Sequence, residues 1–268
     1  MSYFYPWLGG KHHLLNTILQ RLYPHTIYVE PFLGSGAVFL GKVPAKREVL
    51  NDRNSEIVTL WRVIQSHHEE FCRCYSGMIN SREEFERFKL IPPQTLTDVQ
   101  RAVRFFFLMR LSYGGKPQHS YAFATKPGSQ PRVTLEQVSG ILDQVRARLK
   151  TPHLVIENRD WRWLIERCDD PDAMYFLDPP YWGVEDYYGR QMFSQEDLRE
   201  LAERLEALKG KFLLTLNDTP EVRDIFSLFH LEETEVPYSV GNRHGSCKRT
   251  KELLISNYIP LLPEDARA

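Results

Sequence analysis

The sequence predicts an α/β fold: a doubly wound, mostly parallel sheet with a mainly helical stretch inserted into it. Three observations lead there. Short apolar runs at 26–32, 47–52, 153–158, 173–181 and 212–217 alternate with stretches of helical periodicity. A glycine-bearing turn follows the first run directly. An acid closes the second run about twenty residues later, where doubly wound folds hold a ribose.

Each element has its own signal. Residues 11–23 read as a helix, because Leu14, Leu15, Ile18, Leu19 and Leu22 recur at helical spacing. TIYVEPF (26–32) is a buried strand, and a helix starts near Ala37. REVLND (47–52) is the second strand, ending in Asp52 and Asn54. Residues 55–111 are mostly helical, with breaks at Asn80–Ser81 and Pro92–Pro93. Residues 112–134, rich in glycine, proline, aromatic and basic residues, suit a loop or hairpin. Helix returns at 135–150, HLVIEN (153–158) is the third strand, and a helix covers Trp161–Cys168. AMYFLDPPY (173–181) is a fourth strand with an abrupt stop, and Ser194 with Asp197 opens a helix through a capping box of the weaker kind. FLLTLN (212–217) is the fifth strand; HLEETEVPYSV (230–240) and KELLISNY (251–258) form a closing pair. The expected division is a catalytic domain from 1–58 and 151–268, with 59–150 inserted at one edge of its sheet.

Composition narrows the function classes. Hydrophobic residues make up 42% and charged residues 26% of 268, which is ordinary for a globular protein. No apolar run is long enough to span a membrane, and MSYFYPWLGGKHH lacks the basic-then-apolar order of a secretory signal. A cytoplasmic location with no membrane partner is expected. The cysteines at 72, 74, 168 and 247 form no C-x-x-C pair and have no histidine at zinc-ligand spacing. They read as reduced thiols, with no metal.

Net charge is −1, yet the charge is unevenly spread. Residues 99–135 contain Arg101, Arg104, Arg110, Lys116, Lys126 and Arg132, and residues 236–251 contain Arg243, Lys248, Arg249 and Lys251, with no acid in either window. Local positive potential of this kind is what a polyanion needs.

Two motifs carry chemistry. In EPFLGSGAVF (30–39), Gly34 and Gly36 sit between strand and helix, where they permit a tight turn and close approach of backbone to ligand. No G-K-[ST] follows, so it is not a P-loop, and Phe39 breaks the dinucleotide pattern. Asp52 can accept two hydrogen bonds from vicinal hydroxyls, or cap the helix that follows. DPPY (178–181) is sharper. It places Asp178 at the carboxyl edge of the sheet; its two prolines fix two φ angles and remove two donors. The corner offers a carboxylate, free carbonyls and an aromatic ring, a set suited to a planar group bearing an amino substituent. YPWLGGK (5–11) puts Trp7 and Lys11 just ahead of the first helix.

The chain resembles the Dam-type, D12-class DNA adenine methyltransferases. The matching segments are YPWLGGK (5–11), YVEPFLGSGAVF (28–39), LNDRNSEI (50–57), FLDPPY (176–181), LLTLND (213–218) and KRTKELLISNY (248–258), in the family's order. Cofactor motifs first, an insertion next and DPPY last resembles its alpha arrangement. The resemblance implies a class I, Rossmann-like fold that binds S-adenosylmethionine and methylates the exocyclic amino group of adenine in duplex DNA after flipping the base. It implies that Trp7, Lys11, Glu30, Phe32, Gly34, Gly36, Asp52, Asp160 and Asp178 line the cofactor site. It implies that Asp178, Pro179, Pro180 and Tyr181 grip the adenine. The 59–150 insertion resembles the target-recognition domain in position, with Arg110, Tyr113, Lys116, Lys126 and Arg132, together with Lys248 and Arg249, on DNA. The 112–134 segment departs from the GATC-reading members, which leaves the target sequence open. Partners expected are duplex DNA and, in a restriction-modification setting, a companion restriction endonuclease; one acceptor base per turnover needs only a monomer. The rival readings are transfer to cytosine or to adenine in RNA, a nicotinamide-dependent oxidoreductase, and an inactive DNA-binding protein.

Overall fold

The structure is a computed structural model, described over residues 4–7, 10–112, 134–183, 193–237 and 249–260, with backbone alone at 236, 237, 249 and 250. Seven strands form one sheet: β1 (Ile27–Glu30), β2 (Arg47–Asn51), β3 (Leu154–Glu157), β4 (Ala173–Leu177), β5 (Lys211–Asn217), β6 (His230–Pro237) and β7 (Arg249–Ser256). Their order across the sheet is β3-β2-β1-β4-β5-β7-β6. The first five run parallel, and β7 lies antiparallel between β5 and β6. This is the expected α/β class, a doubly wound, mostly parallel sheet with the closing pair as a hairpin-like edge.

A parallel sheet must be covered on both faces, so its strands are apolar on both sides. β1 and β4 are buried along their whole length. Alternation divides their side chains. Tyr28, Leu50, Met174, Phe176, Leu213 and Leu254 join one core cluster; Ile27, Val29, Tyr175, Leu177, Leu214 and Ile255 join the other.

The first face is covered by α1 (Leu15–Leu19), α2 (Ala37–Gly41), α3 (Ser55–Ser66), α4 (His68–Ser76), α5 (Arg82–Leu90), α6 (Asp98–Leu111) and α7 (Leu135–Leu149). Caps fix their starts: Asn54 for α3, Ser81 for α5 and a Thr97–Gln100 capping box for α6. Both expected breaks in 55–111 occur; a third, at His67 between α3 and α4, has no glycine or proline to announce it. The helices of the insertion share one hydrophobic cluster with the sheet. Of these, α3 packs against the edge strand β3, α4 and α6 pack on α3, and α5 packs on α6. α6 carries much of the apolar load of this packing, with Phe105, Phe106 and Phe107 all fully buried.

The second face is covered by α8 (Trp161–Arg167), α9 (Gln195–Glu206) and α10 (Pro220–Ile225). The Ser194–Asp197 capping box forms as expected. Arg162 of α8 ties to Asp197 and to Glu200, 2.7 Å away, on α9. Among the described residues, no helix is long and apolar enough to cross a membrane. Cys72, Cys74 and Cys168 carry free thiols; Cys247 lies outside the described residues.

Candidate active site

The chain leaves β1 toward β2 on one side and returns with β4 on the other. That reversal opens a crevice at the carboxyl ends of the strands, where ligands bind in such sheets. Glu30, at the end of β1, and Asp178, just past β4, flank it.

The turn after β1 is built by backbone needs. Gly34 (φ 48°) and Gly36 (φ 63°) are left-handed, a conformation that costs other residues. A Cβ on Gly34 would lie 2.9 Å from Trp7 Nε1, and one on Gly36 would lie 2.6 Å from Trp61 Cζ2. Tyr5 Oη and Trp61 Nε1 donate to the Gly34 carbonyl at 2.5 and 3.3 Å. Asp52 accepts from the Gly34 and Asn54 amides at 2.9 and 2.8 Å. Burial pushes the Asp52 carboxyl up to about 6 against these two amides. Asp52 thus ties the glycine turn to the residue that caps α3, Asn54, which is close to the capping role weighed for it. Buried Asn51 stitches the strand ends together, donating to the Pro31 and Arg159 carbonyls and accepting from the Arg159 amide.

Glu30 is 2% exposed. Its hydrogen-bond donor is Tyr28 Oη at 2.7 Å. Burial raises its carboxyl to about 8, with the nearby Asp178 charge adding to the rise and Tyr28 opposing it. Such a carboxyl is poised to receive a cation.

Asp178 is anchored through a single oxygen. Lys11 Nζ lies 2.6 Å from Oδ1, and Thr215 Oγ1 donates to the same Oδ1 at 2.9 Å. Burial raises its pKa and Lys11 pulls it down. Lys11 is 4% exposed and sits 4.7 Å from the centre of the Tyr181 ring. Pro179 is buried, and Pro180 and Tyr181 are half-buried. The segment is fixed from the far side by Asn217, which accepts from the Trp182 amide and donates to its carbonyl, both at 3.0 Å.

Phe32 lines the other flank, edge-on to Phe193 (5.6 Å) and 6.5 Å from Trp161. Asp160 caps α8 through the Arg162 amide and pairs with Arg162 at 3.1 Å and Arg53 at 3.6 Å. Trp7, Lys11, Glu30, Phe32, Gly34, Gly36, Asp52, Asp160, Asp178 and Tyr181 therefore all lie at this end of the sheet or on the turns that form it.

The basic residues divide differently. Arg110, expected on DNA, is 8% exposed and donates to the Phe4 carbonyl at 3.4 Å, so it belongs to the interior. Arg101 and Arg104 pair with the buried Glu56, and Arg104 also donates to the Phe88 carbonyl at 2.6 Å. Half of the positive excess in 99–135 is thus spent inside α3–α6 packing. Tyr113, Lys116, Lys126, Arg132 and Lys248 lie outside the described residues, and of Arg249 only its place on β7 is described.

Four polar residues at the site, Asn51, Thr215, Asn217 and Glu252, were not singled out from the sequence. The signal was strand alternation. Leu213 and Leu254 face the first cluster, so Thr215 and Asn217, two and four residues past Leu213, and Glu252, two before Leu254, share that face where it turns polar.

Comparison with known proteins agrees with this geometry. The family model for D12 class N6 adenine-specific DNA methyltransferases matches residues 7–240. The type II methyltransferase M1.LlaDCHI of Lactococcus lactis subsp. cremoris is 25% identical, covering 95% of both chains. The DNA adenine methylase of Escherichia coli K12 is 26% identical, covering 94% of this chain and 93% of its own. The type II methyltransferase M.CviBI of Paramecium bursaria Chlorella virus NC1A is 24% identical, over 94% and 98%. The rival oxidoreductase has no support here, and the chain belongs to the D12 class of N6 adenine-specific DNA methyltransferases.

Proposed function

We propose that the crevice over β1, β2 and β4 binds S-adenosylmethionine and that the Asp178–Tyr181 corner holds a flipped adenine for methylation. The observation that carries this is Asp178: a carboxylate anchored through one oxygen by Lys11 and Thr215, near the buried carboxyl of Glu30.

The residues fit the donor. S-adenosylmethionine brings two cationic groups, a ribose diol and an adenine. Glu30 is a buried acid at about 8, a state that an incoming cation relieves. Asp52 is an acceptor at the end of the second strand, and the left-handed glycines let backbone approach closely. Trp7, Phe32 and Asp160 supply flat faces and an acceptor at the rim.

S-adenosylmethionine, when bound, supplies an electrophilic methyl group on a sulfonium sulfur. The remaining work falls to this chain. The adenine amino nitrogen is a poor nucleophile, because its lone pair is delocalised into the ring. Lys11 and Thr215 both hold Oδ1 of Asp178, which leaves Oδ2 to accept one amino hydrogen. The corner carbonyls accept the other, and neither proline offers a competing donor. Accepting both hydrogens in a water-poor site localises the lone pair and orients it. The Tyr181 ring stacks on the base. The surplus proton of the methylated nitrogen passes to Asp178 Oδ2, a carboxyl whose burial raises its affinity for it.

The base must leave the duplex first, at a cost of a few kcal/mol. Phosphate contacts from Lys116, Lys126, Arg132, Lys248 and Arg249 would offset this, with the 59–150 insertion as the target-recognition domain of a monomer. The type II methyltransferases among the relatives support a companion restriction endonuclease. The test is Asp178→Ala. Methyl transfer to DNA should fall by at least about 10²-fold while the protein melts cooperatively and binds S-adenosylmethionine. Retained turnover would remove Asp178 from the reaction.

A further inference from the structure

Tyr28 is a fully buried tyrosine that the reaction as derived does not use. It stands two residues before Glu30 on β1, so strand alternation sends both side chains to the same face. Its hydroxyl donates to Glu30 Oε2 at 2.7 Å. A phenol has one hydrogen to give, and this one goes to the acid at the end of the strand.

The ring is fixed from behind. Lys42, 7% exposed, holds its Nζ 4.3 Å from the ring centre, and the His25 ring lies 5.8 Å away. Lys42 is held in turn by Glu48 at 2.7 Å, and Glu48 by Arg148 at 2.6 Å. A cation is attracted to the face of a phenol, and by drawing electron density from the ring it makes the hydroxyl a better donor. Of the charged groups that act on Glu30, Asp178 and Glu48 oppose its ionisation and Lys42 favours it; Tyr28 is the hydrogen-bond donor that favours it.

We infer that Tyr28 is a positioning residue for the methyl donor: its hydroxyl holds Oε2 of Glu30 and leaves Oε1 for the cation of S-adenosylmethionine. The hydrogen bond survives the change of charge. When the cation arrives, the Glu30 carboxyl releases its proton to solvent. Tyr28, whose burial keeps its own proton in place, then donates to a charged acceptor, the stronger kind of hydrogen bond. Without it, the ionised carboxylate would be buried with only the ligand to satisfy it. Tyr28 acts through Glu30; it does not itself meet the cofactor. The inference rests on the proposed role of Glu30.

The test is Tyr28→Phe, which keeps the ring beneath Lys42 and removes one hydroxyl. Kd for S-adenosylmethionine is measured by calorimetry at pH 7 and pH 9. Each value is divided by that of wild type at the same pH, which cancels any titration of the cofactor. His25, held below its ordinary range by burial, is mostly neutral at both. If losing the hydrogen bond raises the Glu30 carboxyl by about one unit, from about 8, Kd should weaken about tenfold at pH 7 and about twofold at pH 9. A ratio near one at pH 7 would overturn the inference, and so would an equal loss at both pH values, which marks a packing group. Loss of cooperative melting in Tyr28→Phe would overturn it too, by making the hydroxyl a folding residue. In a Glu30→Gln background the pH difference should vanish; its persistence would mean that Tyr28 acts on another group. Glu30→Gln alone separates the two layers. If it binds the cofactor as wild type does at both pH values, the parent reading of Glu30 fails, whereas an altered Glu30→Gln beside a wild-type Tyr28→Phe removes only the role of Tyr28.

Discussion

Glu30 gives the site a pH dependence whose size follows from its burial. Its carboxyl sits at about 8 in the fold, against an ordinary value of 4.5. Between those values the folded chain holds a proton that the unfolded chain has lost. Stability from this group is full below about 4.5 and declines as pH rises toward 8, by up to about 5 kcal/mol at 1.36 kcal/mol per unit. A cation arriving at Glu30 favours the ionised form, so cofactor binding must expel the proton. Below pH 8 each unit then weakens the apparent Kd by up to about tenfold, with a plateau above 8. The perturbation is Glu30→Gln, which keeps the shape and the Tyr28 contact but has no proton to lose. The assay is calorimetric titration with S-adenosylmethionine from pH 6 to 9, in two buffers of different ionisation enthalpy. Wild type should release close to one proton at pH 7 and tighten with pH; Glu30→Gln should lose that slope and bind more weakly at pH 9. A wild-type Kd that is flat with pH, or an unchanged slope in Glu30→Gln, would remove Glu30 from the cofactor site.

Two further outcomes concern the frame. Gly36→Ala meets a left-handed backbone costing about 1–2 kcal/mol and a Cβ 2.6 Å from Trp61. Trp61 is fully buried, so overpacking adds about 1–3 kcal/mol. At roughly 2–4 °C per kcal/mol, Tm should fall by about 4–20 °C in a thermal melt; a shift under about 2 °C would show that the turn can relax. Glu48, fully buried, accepts from Lys42 at 2.7 Å and from Arg148 at 2.6 and 2.7 Å, bracing α7 against β2. Glu48→Gln leaves two cations without their counter-charge and should destabilise by about 3–5 kcal/mol; a melt and denaturation midpoint matching wild type would contradict this.

The parts that were legible in the sequence are those set by local chemistry. Strand alternation, the glycine turn and the proline-fixed DPPY corner each act within a few residues, and each stands where it was expected. What was missed depends on partners far along the chain. A window of arginines reads as a DNA face until Glu56 is seen to pair with Arg101, 45 residues away, and with Arg104, 48 away. The break at His67 has no turn residue to announce it, and the helix that follows, α4, packs on α6, about thirty residues further along the chain. Thr215, Asn217 and Glu252 were within reach, since counting by twos from Leu213 and Leu254 places all three on the site's face.

The reaction itself can be read in one experiment. Purified protein is incubated with methyl-labelled S-adenosylmethionine and DNA from a methylation-deficient host, and the product is digested to nucleosides and separated by chromatography. Label should run with N6-methyladenine in wild type and be lost in Asp178→Ala. Label in methylcytosine, or no label in DNA from a protein that binds the cofactor, would contradict adenine methylation at this site.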